Sequence, residues 1–329
     1  MEKLVDNDWL EGQRLVPRIR RESVTELTRK DIPQGGTWIL TGGARGITAQ
    51  IAMELGRRFN LRLHLLGRSR LPEIDPAWHD YTDEQMQELK VGVARQALAE
   101  GQSATRAWEQ TRTAIEIDRN LRAFRDAGLN VHYHSCDVSV RSALTSTLDS
   151  IRTQHGPIEG IIHGAGINHG ARFETKRAEQ VDQMFQPKLD GLLNLMELTA
   201  NDPIQYFIGF ASVSSRFGAN GLVDYCQSND MLCKILSWYQ GDRPDCHCTS
   251  FHWASWGDVG MMMNPYSFGS RSVNKLRLMP ATEGVRHLVE ELRAGTPRSE
   301  IVISDDEYFL QYHSPEILLR DSAHLIKPT

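Results

Sequence analysis

The residues of this 329-residue chain with the clearest capacity for chemistry stand in the run Thr41-Gly42-Gly43-Ala44-Arg45-Gly46-Ile47-Thr48. The run follows the apolar stretch Trp38-Ile39-Leu40 and leads into the apolar-periodic segment AQIAMELGRRF, so it reads as a glycine-rich turn between a strand and a helix. Such a turn lets backbone N–H groups approach a diphosphate at the positive end of the helix, which makes it a dinucleotide site; a purely structural turn is the alternative. The acid that would hold a ribose 2′-hydroxyl is missing after the next apolar run, where the chain has Leu66-Gly67-Arg68-Ser69-Arg70. Arginine suits a 2′-phosphate, and Arg68 with Arg45 as a second cation favours NADP(H) over NAD(H). Asp137 and Val138, after the third apolar run, would meet the adenine, with Asp137 capping its amino group. Gly164-Ala165-Gly166, after the fourth, would lay bare backbone beside the cofactor. The expected cofactor set is therefore Thr41, Gly42, Gly43, Arg45, Gly46, Ile47, Arg68, Ser69, Asp137, Val138, Gly164, Ala165 and Gly166, with NADPH as the cofactor. No metal site is expected, because Cys246-His247-Cys248 opens an apolar run and lacks a second ligand pair.

Farther along stands Ser212-Val-Ser214-Ser215-Arg-Phe217-Gly218, followed by Tyr225-Cys-Gln-Ser-Asn229. The serine and the tyrosine are 13 residues apart (225 − 212), and in this the chain resembles the short-chain dehydrogenases/reductases. Most members of that superfamily carry a lysine four residues after the tyrosine; here the position is Asn229. Lys234, nine residues on, would face the opposite side of a helix. Asparagine in that place, with Phe185-Gln-Pro187-Lys188-Leu-Asp-Gly191 earlier in the chain, is similar to the ketoreductase domains of polyketide and polyunsaturated-fatty-acid synthases. In those domains the lysine comes from the preceding helix. Trp253-Ala-Ser-Trp256-Gly257 resembles their tryptophan-glycine segment.

The resemblance implies reduction of a ketone, in which hydride reaches the carbonyl carbon and an acid meets the developing alkoxide. Tyr225 would be that acid and Ser212 would hydrogen-bond the carbonyl oxygen. Lys188 would favour the phenolate by its charge, and Asn229 would orient the lysine or hold a water for proton resupply. The implied substrate is a 3-oxoacyl thioester on an acyl carrier protein. The family's Leu-Asp-Asp marker of product configuration is replaced by Ile167-Asn168-His169, and Phe217 stands where the opposite marker has tryptophan, so the configuration stays open.

These residues require elements to position them. Apolar runs alternate with helix-period segments, the pattern of βαβ units around a parallel sheet, and the near-continuous apolar character of LRLHLL, IEGIIH and IQYFIGFA fits strands buried on both faces. Strands are expected near 37–41, 61–66, 130–136, 158–163, 204–211, 247–253 and 301–303. Helices are expected over 45–58, 141–154, 177–200, 225–240 and 281–294. The fold class is α/β, a Rossmann-type doubly wound parallel sheet in one domain over 36–304. A helical insertion is expected at about 71–129 and a methionine-rich lid at about 260–278. Residues 1–35 read as an extension or connector, and 305–329 as a tail.

Composition limits the remaining choices. With 37 basic and 42 acidic side chains the net charge is −5, which argues against a general nucleic-acid binder. No uncharged run approaches the length of a membrane span. The first residues lack an apolar segment of signal-peptide length, and five cysteines without CxxC spacing suit free thiols, so a cytoplasmic protein is expected. The expected partner is an acyl carrier protein or acyl thioester, within a larger synthase and in an oligomeric state left open. Arg271, Lys275 and Arg277 are candidate cations for meeting an acidic carrier. The alternatives are a free-standing reductase of small ketones or alcohols and a catalytically silent NADP-binding scaffold.

Overall fold

A computed structural model of the chain describes residues 8–10, 13–15, 30–71, 74–257, 259, 278–294 and 298–304. The expected tail, the expected lid apart from Leu278, and the three candidate docking cations lie outside the described residues. Near the amino terminus, β1 (Asp8–Leu10) and β2 (Gln13–Leu15) pair antiparallel.

The remaining strands are β3 (Thr37–Thr41), β4 (Arg62–Gly67), β5 (Val131–Ser135), β6 (Gly160–His163), β7 (Tyr206–Ser212), β8 (His247–Trp253) and β9 (Glu300–Ile303). They form one sheet in the order β5-β4-β3-β6-β7-β8-β9, with every pairing parallel. The chain therefore builds outward from β3 in one direction and from β6 in the other. The strand order reverses between these two, and a doubly wound sheet opens its ligand crevice beyond the carboxyl ends at that point.

Successive residues of each strand serve opposite layers. Leu40, Ile162, Ile208 and Phe251 pack with helix α1 (Gly46–Phe59) and helix α9 (Ala281–Leu292). Ile39, Ile161 and Phe207 pack on the other face with α4 (Arg141–His155), α6 (Gly191–Leu198) and α8 (Val223–Asp242). Burial on both faces explains why these runs do not alternate with polar residues.

Between β4 and β5 the chain forms a helical hairpin, α2 (Asp83–Ala99) and α3 (Ala104–Asp126). Thr82 and Gln85 close α2 reciprocally as a capping box, and Ser103 caps α3. The hairpin is asymmetric: α2 buries only Ala97, whereas α3 seats Ile117 and Phe124 in the core layer of α1.

The single helix expected over 177–200 is interrupted. The chain forms α5 (Ala178–Phe185), one π-helical turn over Gln186–Asp190, and then α6. Pro187 has no N–H to donate into the helical ladder, so the turn widens and the Gly191 N–H bonds back to the carbonyl of Gln186. This widened turn carries Lys188. The short α7 (Ser214–Phe217) links β7 to the loop before α8.

Candidate active site

At the carboxyl end of β3 the chain turns sharply into α1. Gly42 has φ 78°, and a Cβ on it would lie 2.8 Å from the carbonyl oxygen of Gly164, so this turn and the one after β6 touch backbone to backbone. Arg45, at the N-cap, gives α1 no side-chain capping bond, and the first turn of α1 contains no acid. The positive end of the helix is thus left to groups from elsewhere.

A cavity of about 240 Å³ opens beside this turn. Gly42, Gly43 and Arg45 line it from the turn, Arg68 and Ser69 from the end of β4, Asp137 and Val138 from beyond β5, and Ala165 and Gly166 from beyond β6. Nine of the thirteen residues expected to meet a cofactor thus share one cavity. Gly46 and Ile47 begin α1 next to it, and Gly164 lies beneath, where a Cβ would strike Thr48 Oγ1 at 2.7 Å. Thr41 is turned inward. Its buried hydroxyl accepts from the Ala165 N–H at 3.1 Å and lies 2.8 Å from His163 Nδ1, so its role is to join the ends of β3 and β6. Asp137 Oδ1 accepts from the N–H and the hydroxyl of Ser139, at 3.0 and 2.6 Å.

Two further walls carry no local signal in the sequence. Tyr133, from β5, donates its hydroxyl to the Ser69 carbonyl at 2.7 Å, and burial holds this phenol at about 12. Helix α3 contributes Glu109, Gln110 and Thr113. Glu116, on the same helix, accepts from the Gly46 N–H at 2.9 Å. A long polar helix between two strands announces its existence by periodicity, but nothing local says where it will dock.

The four expected catalytic residues come from the end of β7, the first two turns of α8 and the middle of the π turn. Ser212 closes β7, and its hydroxyl accepts from Ser214 Oγ at 2.9 Å. Tyr225 lies in the first turn of α8. Burial raises its phenol above the ordinary value, while the side chains of Ser212 and Asn229 act in the opposite direction. The direction differs from the phenolate-favouring effect expected of a lysine alone, because the loss of hydration outweighs the groups that favour the anion. Asn229, one helical turn on, donates Nδ2 to the Tyr225 carbonyl at 2.7 Å, and its buried Oδ1 has no partner.

Lys188 is 5% exposed and donates Nζ to the Phe210 carbonyl at 2.8 Å, on the strand that ends in Ser212. Burial pulls its ammonium down to about 8. Gly166 leaves room for it, since a Cβ there would meet Lys188 Cε at 3.0 Å. His163, held neutral by burial at about 3, bonds through Nε2 to the Lys188 carbonyl at 2.9 Å; that oxygen can only accept, so the proton is on Nε2. Lys234 pairs with Asp230 at 2.6 Å on the exposed side of α8, as its spacing from Tyr225 requires.

Two buried charge sets brace these elements. Lys176, in the loop after β6, pairs with Asp224, and both side chains are almost fully enclosed. Asp224 also accepts the N–H of Tyr225 at 2.9 Å, so the pair fixes the start of α8. Behind Ser212, Ser215 donates to the Ser212 carbonyl at 2.6 Å and lies 2.8 Å from His252 Nδ1, while His252 Nε2 lies 3.2 Å from Glu300. Burial opposes charge on His252, but Cys233 and Glu300 outweigh it and raise the imidazole to about 9. The sequence signal for this network is one histidine inside the apolar run Phe251-His252-Trp253, whose partners come from other elements.

Residues 36–258 match the family model described as KR domain. Polyketide synthase PksL of Bacillus subtilis (strain 168) is 28% identical over 299 residues, covering 88% of this chain and 6% of that protein. A polyunsaturated fatty acid synthase polypeptide of Thraustochytrium sp. (strain ATCC 26185 / S-3) is 26% identical over 218 residues, covering 63% of this chain and 8% of that protein. The chain thus spans less than a tenth of the length of either relative. A crystal structure of a ketoreductase domain from the bacillaene assembly line superposes with a TM-score of 0.69 at 24% identity, covering 91% of this chain and 62% of that one, a likeness of fold.

Proposed function

Because this chain belongs to the KR domain family, we propose that it reduces a 3-oxoacyl thioester, carried on an acyl carrier protein, to the 3-hydroxyacyl thioester with NADPH. The observation that carries the reading is convergence. Lys188, from the π turn before β7, reaches the backbone of the strand that ends in Ser212, and Ser212 acts on the Tyr225 phenol in the direction that favours its ionised form.

The donor set fits a phosphorylated dinucleotide. The glycine turn is bare where side chains would collide, α1 supplies no anion of its own, and Arg45 and Arg68 line the same cavity. When bound, the cofactor supplies the hydride. Arg68 would pair with the 2′-phosphate, and Gly42, Gly43 and the first N–H groups of α1 would face the diphosphate.

Chemistry at the other end falls to the chain's own residues. Ser212 Oγ hydrogen-bonds the carbonyl oxygen and holds it toward Tyr225. The C=O π bond opens as the carbon gains hydride, and the alkoxide takes the phenol proton. Tyr225 carries its proton at neutral pH, as an acid must, but burial makes it a weaker donor, and a charge that favours the phenolate has to work against that rise. The phenolate left behind would gain from the ammonium charge of Lys188. Asn229 Oδ1, buried and unpaired, would hold the water that returns a proton.

The test is NADPH oxidation with a 3-oxoacyl thioester, comparing the intact protein with Tyr225→Phe. Turnover that disappears in the variant supports the reductase reading. No turnover in an intact protein that binds NADPH would replace it with a silent scaffold.

A further inference from the structure

The insertion between β4 and β5 is more than an appendage, because one face of α3 lies across the glycine turn. Arg45 Nη1 donates to Thr113 Oγ1 at 3.2 Å, the Gly46 N–H donates to Glu116 Oε1 at 2.9 Å, and Asn120 Nδ2 donates to the Ala44 carbonyl at 2.9 Å. At about 100° per residue, positions 113, 116, 117 and 120 share one face of a helix. Ile117 anchors that face in the core.

Gly46, Ile47 and Thr48 precede the first intrahelical bond of α1, which runs from Ala49 N to the Arg45 carbonyl. Their N–H groups are the ones a bound diphosphate would take. Glu116, contributed from 70 residues away, already occupies one of them with a carboxylate. The geometry points to Glu116 as a built-in competitor for the diphosphate position, through which the insertion lowers dinucleotide affinity and eases cofactor release. This inference rests on the dinucleotide reading above.

The chemistry is that of two anions at one helix end. The N-terminus of α1 stabilises either, but a carboxylate at hydrogen-bond distance from Gly46 repels a phosphate brought beside it. Glutamine at 116 keeps the acceptor oxygen and removes the charge. Glu116→Gln is therefore expected to bind dinucleotide more tightly, whereas loss of a supporting contact would weaken binding.

The experiment titrates the full chain with NADPH and with NADH, following the fluorescence of the reduced nicotinamide, for the parent, Glu116→Gln and Glu116→Ala. Each variant should tighten both cofactors by about five- to fifty-fold. The factor should be similar for the two, because the diphosphate is common to both, and it should shrink as salt is raised. Unchanged or weaker binding in a variant that melts like the parent would overturn the inference and make Glu116 a support of the turn. If the parent and the variants alike bind neither cofactor, the dinucleotide reading itself fails, and the inference fails with it.

Discussion

The ammonium of Lys188 donates to the main-chain oxygen of Phe210 at 2.8 Å, two residues before Ser212 on the same strand. A hydrogen bond to a backbone oxygen fixes the head group without neutralising it, so its charge remains available to a phenolate. Lys188→Ala should lower kcat by about a hundred-fold or more while NADPH affinity changes by less than about five-fold. With the ammonium at about 8, the rate of ketone reduction should decline above that pH. A pH–rate profile checks this, and the declining limb should vanish in Lys188→Ala.

Arg68 is exposed at the end of β4 and lines the cavity, where it is proposed to meet a 2′-phosphate. A charge-assisted bond to a 2′-phosphate contributes about 1.5–3 kcal/mol, so Arg68→Ala should weaken NADPH by about ten- to a hundred-fold and NADH by less than about three-fold. Binding titrations with the two cofactors check the split. Equal weakening of both would remove Arg68 from the 2′-phosphate.

Lys176 and Asp224 form an enclosed ion pair one residue from Tyr225. Removing one partner strands the other charge in a dry setting, so Lys176→Met should cost about 3–5 kcal/mol of stability, measured by denaturant unfolding. Adding Asp224→Leu should recover part of the loss, because the uncompensated carboxylate is then gone as well. Turnover in Lys176→Met should fall through kcat more than KM, as the start of α8 loses its tie to the loop after β6.

Stability should peak near pH 6.5. Burial holds His163 and His64 at about 3 and His247 at about 4, all below the ordinary value of 6.5. The unfolded chain takes up these protons first, so the stability the three contribute is complete above 6.5 and is lost as pH falls toward 3, at up to about 1.4 kcal/mol per pH unit for each. His252 has the opposite sign. Raised to about 9, it contributes fully below 6.5 and its contribution is lost between 6.5 and 9. Lys188, depressed to about 8, begins to offset that loss above 8. Melting temperatures from pH 4 to 9 check both limbs, and His252→Gln should flatten the alkaline one.

Much of the fold was legible because its signals are local. Glycines between an apolar run and a helical period mark the first crossover at 41–46, and runs such as Ile204–Ala211 mark strands buried on both faces. The spacing of Ser212, Tyr225 and Asn229 was readable because one strand end and one helix carry all three. Lys188 was reached through resemblance to a family, since no period links it to Tyr225.

What the chain's order of residues determined by itself was the succession of strands and helices and the types of group at their ends, because periodicity and turn chemistry are written within a few neighbouring positions. The tertiary structure decided the rest. Pro187 turned an expected continuous helix into a π turn that aims Lys188 at β7, and packing set Glu116 on the Gly46 N–H and Lys176 against Asp224. Such partners come from segments tens of residues apart, and they meet only where burial of one helix face and closure of the sheet leave a single place for each charge to be satisfied.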